Sequence, residues 1–122
     1  MHSKRQKDCL SLAINKQESR PICLDTGHAY LGRDLAAVVH KLSGHLWMVH
    51  ASDNHGHYDD HLPPGEGDVD WAAFLADLYR LHFNGALIME ISGAGERKEI
   101  LERARRGRSY LRDLSHRLRV PS

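Results

Sequence analysis

Short apolar runs alternate along this chain with longer amphipathic ones, and each apolar run turns polar toward its C-terminal end. Pro21–Asp25 (PICLD), Leu46–His50 (LWMVH) and Gly85–Ile91 (GALIMEI) have the length and aliphatic content of buried strands. Between the first two, Gly32–Leu42 carries Leu35, Ala36, Val38, Val39 and Leu42 at helical spacing, with Gly44 beyond it as a stop signal. Val69–Phe83 puts Trp71, Phe74, Leu75 and Leu78 on one helical face, and Glu96–Leu118 predicts a last, highly charged helix. Ser52–Asp68 is rich in glycine, proline and polar residues and predicts a loop. Loops of that length in compact domains are usually functional.

Strands alternating with helices in this way predict βαβ units and a parallel sheet, so the fold class is α/β with about three βα units. The expected organisation is one partial domain over residues 1–122. Residues 1–20 form a preceding helix or a poorly ordered segment, and residues 21–118 form the βα units. Hydrophobic residues at 41% and charged residues at 27% are the balance of a globular protein. No apolar run approaches the roughly 20 residues that span a bilayer, and the basic start MHSKRQKDCL lacks an apolar segment after it. The expectation is a cytoplasmic protein with no membrane partner. Cys9 and Cys23 form no CxxC pair and read as reduced thiols. A net charge of +1 gives no broad attraction to nucleic acid, which is not an expected partner. The basic run from Arg103 to Arg112 reads as a solvated helix face.

Ten histidines change the picture, because seven of them fall between His28 and His61. Imidazole is the commonest protein metal ligand. The three strands also share one property: they end in Asp25, His50 and Glu90. In parallel α/β folds, sites lie at the carboxyl ends of strands, and neighbouring strands are about 4.8 Å apart. Three such side chains can therefore converge on one ion. Two carboxylates and an imidazole suit Mn²⁺, Co²⁺, Zn²⁺ or Fe²⁺, with Mg²⁺ less favoured by the nitrogen. Taken singly, each residue has a plainer reading as a helix cap or loop hydrogen-bond partner. His40, His45 and His82 read as surface or packing residues, His55 and His57 as loop residues, and Trp47, Trp71 and Phe74 as core.

Asp25-Thr26-Gly27-His28, Val49-His50 with Ser52-Asp53-Asn54, Asp59-Asp60-His61-Leu62-Pro63-Pro64-Gly65-Glu66-Gly67, and Met89-Glu90 follow in that order. Together they resemble the xylose-isomerase-like (β/α) barrel superfamily, which holds sugar phosphate isomerases and epimerases and the endonuclease IV group (AP endonuclease family 2). The resemblance runs from Pro21 to Leu118. It implies the C-terminal half of a TIM (β/α)₈ barrel, since a closed barrel takes about 250 residues. It implies one divalent cation on Asp25, His50 and Glu90, with Glu90 also catalytic as a proton carrier. His28 would be catalytic by contact with substrate, and Asp59 and His61 would help bind it. Apart from the resemblance, Glu66, between two glycines, reads as supporting the site from behind. The reaction implied is proton abstraction through an enediolate on a sugar or sugar phosphate. The family pattern has one more glutamate on the preceding strand, and Glu18, in the polar stretch AINKQESR, is a poor match for it. A homo-oligomer or a complementary N-terminal half is therefore the expected partner. An abasic-site nuclease and a non-catalytic half-barrel are the alternatives.

Overall fold

The computed structural model of the protein describes residues 21–93 and 95–119. The expected helix over residues 1–20, and Glu18 with it, lies outside the described residues. Three parallel strands, β1 (Ile22–Asp25), β2 (Leu46–Ala51) and β3 (Ala86–Met89), form a sheet in the order β1-β2-β3. Helices α1 (Thr26–Leu31) and α2 (Leu35–Lys41) connect the first pair, α3 (Trp71–Arg80) connects the second, and α4 (Arg97–Arg119) follows β3. This is the α/β architecture of a partial TIM barrel. Among the described residues, no helix is long and apolar enough to cross a membrane.

Register assigns the two faces. Leu24 pairs with Val49 and Val49 with Leu87, while the next row brings Asp25 to His50 and His50 to Ile88. Successive strand residues point to opposite faces. The Leu24–Val49–Leu87 row therefore packs into the core with Val39, Leu42, Trp71, Phe74 and Leu78, and the Asp25–His50 row takes the other face. Leu24, Val39 and Val49 are fully excluded from water, and burying such side chains contributes about 1.5–3 kcal/mol each. Trp71 meets Phe74 edge to face with ring centroids 5.7 Å apart.

Several boundaries or placements differ from expectation, among them the helix expected over Val69–Phe83, which spans Trp71–Arg80. The Asp-Thr-Gly-His segment is helical from Thr26, because the Asp25 carboxylate accepts the His28 N–H and caps that turn. The second helix starts at Leu35 rather than Gly32, after Arg33 takes a left-handed backbone conformation with φ of 64°. The strand expected over Gly85–Ile91 is paired only over Ala86–Met89. Trp47 was expected in the core but is 47% exposed, because it stands at the N-terminal end of β2, away from the fully buried Val49 and Ala51. Trp71 and Phe74 are core as expected, and Arg105, Arg106, Arg108 and Arg112 lie exposed on α4.

The long loop between β2 and α3 is held from inside by one side chain. Asp53, with no exposed surface, accepts five hydrogen bonds. Its Oδ1 takes the N–H groups of Asn54 and Val69; its Oδ2 takes those of Gly65 and Gly67 and the Trp71 indole N–H at 2.8 Å. The Asp53 backbone also pairs in antiparallel fashion with Leu62. A β-carbon at Gly67 would collide with the Asp53 carboxylate and the Asn54 backbone. Only glycine admits so close an approach. From outside, α4 closes on the loop: Gly107 lies against Pro63 and Pro64, Tyr110 covers Gly65, and Arg103 binds both carboxylate oxygens of Glu66.

Asp53→Asn keeps shape and volume but turns an amide N–H₂ toward backbone or indole donors, orphaning at least two of them. Charge-assisted bonds of this kind are worth about 1.5–3 kcal/mol each, so the substitution is expected to destabilise the protein by about 3 kcal/mol or more in urea unfolding. A loss under about 1 kcal/mol would contradict the central role of this carboxylate.

Candidate functional site

The ends of the three strands carry the candidate side chains as their register dictates. Asp25 closes β1, His50 lies beside it on β2, and Glu90 continues β3 through a hydrogen bond from its N–H to the Ala51 carbonyl. Thr26 clamps β1 to β2 there: its hydroxyl donates to the Ser52 carbonyl at 2.8 Å and accepts the Ser52 N–H at 3.0 Å. His50 Nδ1 is 3.3 Å from Glu90 Oε1, yet off the direction of a hydrogen bond, so this buried nitrogen makes none. Asp25 Oδ1 is used by the His28 N–H, but Asp25 Oδ2 is buried with no hydrogen-bond partner.

A second group stands beside the first. Asp59 Oδ2 lies 3.4 Å from His28 Nε2 and 3.2 Å from His61 Nε2, while Asp59 Oδ1 is buried without a hydrogen-bond partner. Gly27 lets these segments meet, since a β-carbon there would stand 2.5 Å from Ser52 Oγ and 3.1 Å from Asp59 Oδ1. His61 takes a left-handed backbone with φ of 53° and its carbonyl accepts the Ser92 N–H at 2.8 Å. Strain of this sort costs about 1–3 kcal/mol and gathers at functional sites.

Burial pushes the Asp25 carboxyl above its ordinary value, and the negative charges of Asp59 and Glu90 act in the same direction; the His28 N–H and imidazole oppose them. The two groups of side chains are thus one electrostatic neighbourhood. As the side chains stand, no three His, Cys, Asp or Glu among the described residues are gathered to hold an ion. His50 faces Glu90, and Asp59 faces His28 and His61, instead. The donor set nevertheless fits a divalent cation, because buried polar atoms normally have partners and four here have none: Asp25 Oδ2, His50 Nδ1, Ser52 Oγ and Asp59 Oδ1. Of these, the Asp25 carboxylate oxygen and the His50 imidazole nitrogen, on adjacent strand ends beside Glu90, are donor types that such an ion takes. The remaining candidate, Glu66, spends its carboxylate on Arg103 of α4.

The pattern described as xylose isomerase-like TIM barrel matches residues 13–114. The chain belongs to that family. A D-tagatose 3-epimerase-like protein superposes with a TM-score of 0.70 at 27% identity, over 80% of this chain and 35% of its own. A D-psicose 3-epimerase from Clostridium cellulolyticum H10 does so with a TM-score of 0.65 at 18% identity, over 78% and 38%, which is a likeness of fold. An uncharacterised protein of Methanocaldococcus jannaschii is 36% identical over 87 residues, 66% of this chain and 30% of that relative. The chain therefore spans roughly a third of the length of these relatives.

Four polar residues of the family motifs have a supporting role that their sequence pattern alone does not assign. Thr26, Ser52, Asp53 and Asn54 are buried, and Asn54 ties the loop to α1 by donating to the Gly27 carbonyl at 3.1 Å. The available signal was a run of three short polar residues directly after a strand, which is where local hydrogen bonding to backbone is strongest.

The Asp25 shift has a sign. A carboxyl that holds its proton more tightly when folded contributes full stability below its ordinary value of 3.8 and loses it as pH rises through the folded value. Asp25→Asn retains an oxygen to cap α1 and removes the buried charge. After chelator treatment it is expected to unfold at higher urea than wild type at pH 7, with the gap closing toward pH 4. Lower stability than wild type at pH 7 would show that burial of this charge is not the dominant effect.

Proposed function

We propose that this chain supplies the metal-bearing half of a sugar isomerase or epimerase barrel. Asp25 Oδ2, His50 Nδ1 and Glu90 hold one divalent cation, of the Mn²⁺, Co²⁺, Zn²⁺ or Mg²⁺ class. The observation carrying this reading is the pair of buried atoms without hydrogen-bond partners, Asp25 Oδ2 and His50 Nδ1, on adjacent strand ends. When bound, the ion would supply Lewis acidity toward substrate oxygen.

The chain's own residues do the rest. Glu90 accepts or returns a proton at a carbon next to a carbonyl of a sugar or sugar phosphate, a role worth about 10²–10⁴-fold in rate. His28, Asp59 and His61 orient the substrate's hydroxyl groups from the second cluster. The opposite proton carrier, a glutamate in the family pattern, comes from outside residues 21–119. Completion of the barrel comes from a second copy, a complementary chain or further strands of a longer one. The epimerase names of structural relatives support the substrate class.

A second reading, an abasic-site nuclease with several metal ions, is favoured by Asp59 lying between His28 and His61. A net charge of +1 weighs against it, because duplex binding draws on many phosphate contacts.

Calorimetric titration with Mn²⁺ separates these. The proposal expects about one ion per chain and more than about 100-fold weaker binding in His50→Ala, beyond the loss caused by removing a supporting residue. Several ions per chain, reduced by His61→Ala, would favour the nuclease; no binding by wild type would overturn the metal assignment. With the barrel completed, Glu90→Gln is expected to lower turnover of a ketose by at least about 10²-fold, and full turnover would remove Glu90 from the reaction.

A further inference from the structure

Away from the strand ends, a cleft of about 400 Å³ opens between the α1–α2 corner and α3, roofed by His55, Gly56 and His57. This volume is within the range of small-ligand sites, about 300–1,000 Å³. Its apolar lining is the partly buried Tyr30 with Leu35, Ala36 and Ala73, backed by the buried Phe74. The Tyr30 ring is itself fixed, its hydroxyl donating to the Asp68 carbonyl at 3.2 Å. No role has been given to this cavity by the chemistry of the strand ends.

The charges lining it are unequal in a useful way. Asp77 pairs with Arg80 at 3.4 Å, Asp70 caps α3 by accepting the Ala73 N–H at 3.1 Å, and His55 lies 3.4 Å from Asp68. Arg33 makes no ion pair or side-chain hydrogen bond among the described residues, and its φ of 64° holds it in a conformation that non-glycine residues rarely adopt. Both carboxylates of the lining are thus engaged, while its one permanent cation is available. Guanidinium groups of this kind bind carboxylates and phosphates through paired N–H donors.

We infer that this cleft binds a small aromatic acid: a planar ring system laid against Tyr30 and the aliphatic lining, with its single anionic group at Arg33. The ring replaces water against apolar walls, and the anion meets a cation that has no internal partner. The inference stands apart from the metal reading, since none of the cleft residues is a proposed ligand.

The test titrates the protein with 2-naphthoate, 2-naphthalenemethanol and 2-naphthylmethylamine, following ligand signals by saturation-transfer NMR. Naphthoate is expected to bind at least about fivefold more tightly than the alcohol, with the amine weakest, and Arg33→Gly to weaken naphthoate about tenfold. Glycine suits the left-handed backbone, so the thermal midpoint of Arg33→Gly should equal or exceed that of wild type. Ala73→Trp, at an exposed position of the wall, should block all three ligands by filling the cleft. Absence of naphthoate binding, an amine that binds equally well, or wild-type affinity in either variant overturns the inference.

Discussion

Asp53 is the constraint on which the rest of the site depends. A buried carboxylate has several acceptor positions and is costly to desolvate unless they are filled. Here they are filled by four backbone N–H groups and one indole, drawn from residues 54 to 71. Nineteen residues without regular structure would otherwise carry a large conformational entropy and many unmet backbone groups. One charge gathers them, sets the turn at Gly65–Gly67 and brings the chain into α3 through Trp71. Asp59 and His61 reach the strand ends because they sit on the segment so fixed.

At the strand ends the physical logic reverses. Where Asp53 is fully satisfied, Asp25, His50 and Asp59 each keep a buried polar atom without a hydrogen bond. Stability alone does not favour this arrangement, and the raised Asp25 carboxyl reflects its cost. Sites that bind ions or transfer protons are where such local conflict is expected. The left-handed backbone at His61 belongs to the same account, since it turns the loop from its pairing with Asp53 back toward Asp59.

Much of this was legible from residue patterns. The three strands follow from aliphatic runs, and parallel pairing follows from the helices between them. The placement of Asp25, His50 and Glu90 at one end of the sheet follows from each run ending in a polar residue. Trp47 was misplaced because hydrophobicity does not tell where along a strand the helix layer stops. The α1 turn was missed because a six-residue helix has too little periodicity to register, and its Asp cap reads equally well as a ligand; it turns out to use one oxygen for capping and leave the other over. Asp53 was invisible as a hub because its five donors are scattered over eighteen positions and meet only in three dimensions. Glu66 was expected behind the site, but its ion pair with Arg103 depends on where α4 crosses the loop.

The proposed divalent ion lies between Asp25, His50 and Glu90. Anomalous diffraction from crystals soaked in Mn²⁺ locates it directly. A single strong peak is expected within coordination distance of Asp25 Oδ2, His50 Nδ1 and the Glu90 carboxylate. A crystal with no peak there, or with its only peak among His28, Asp59 and His61, would contradict it.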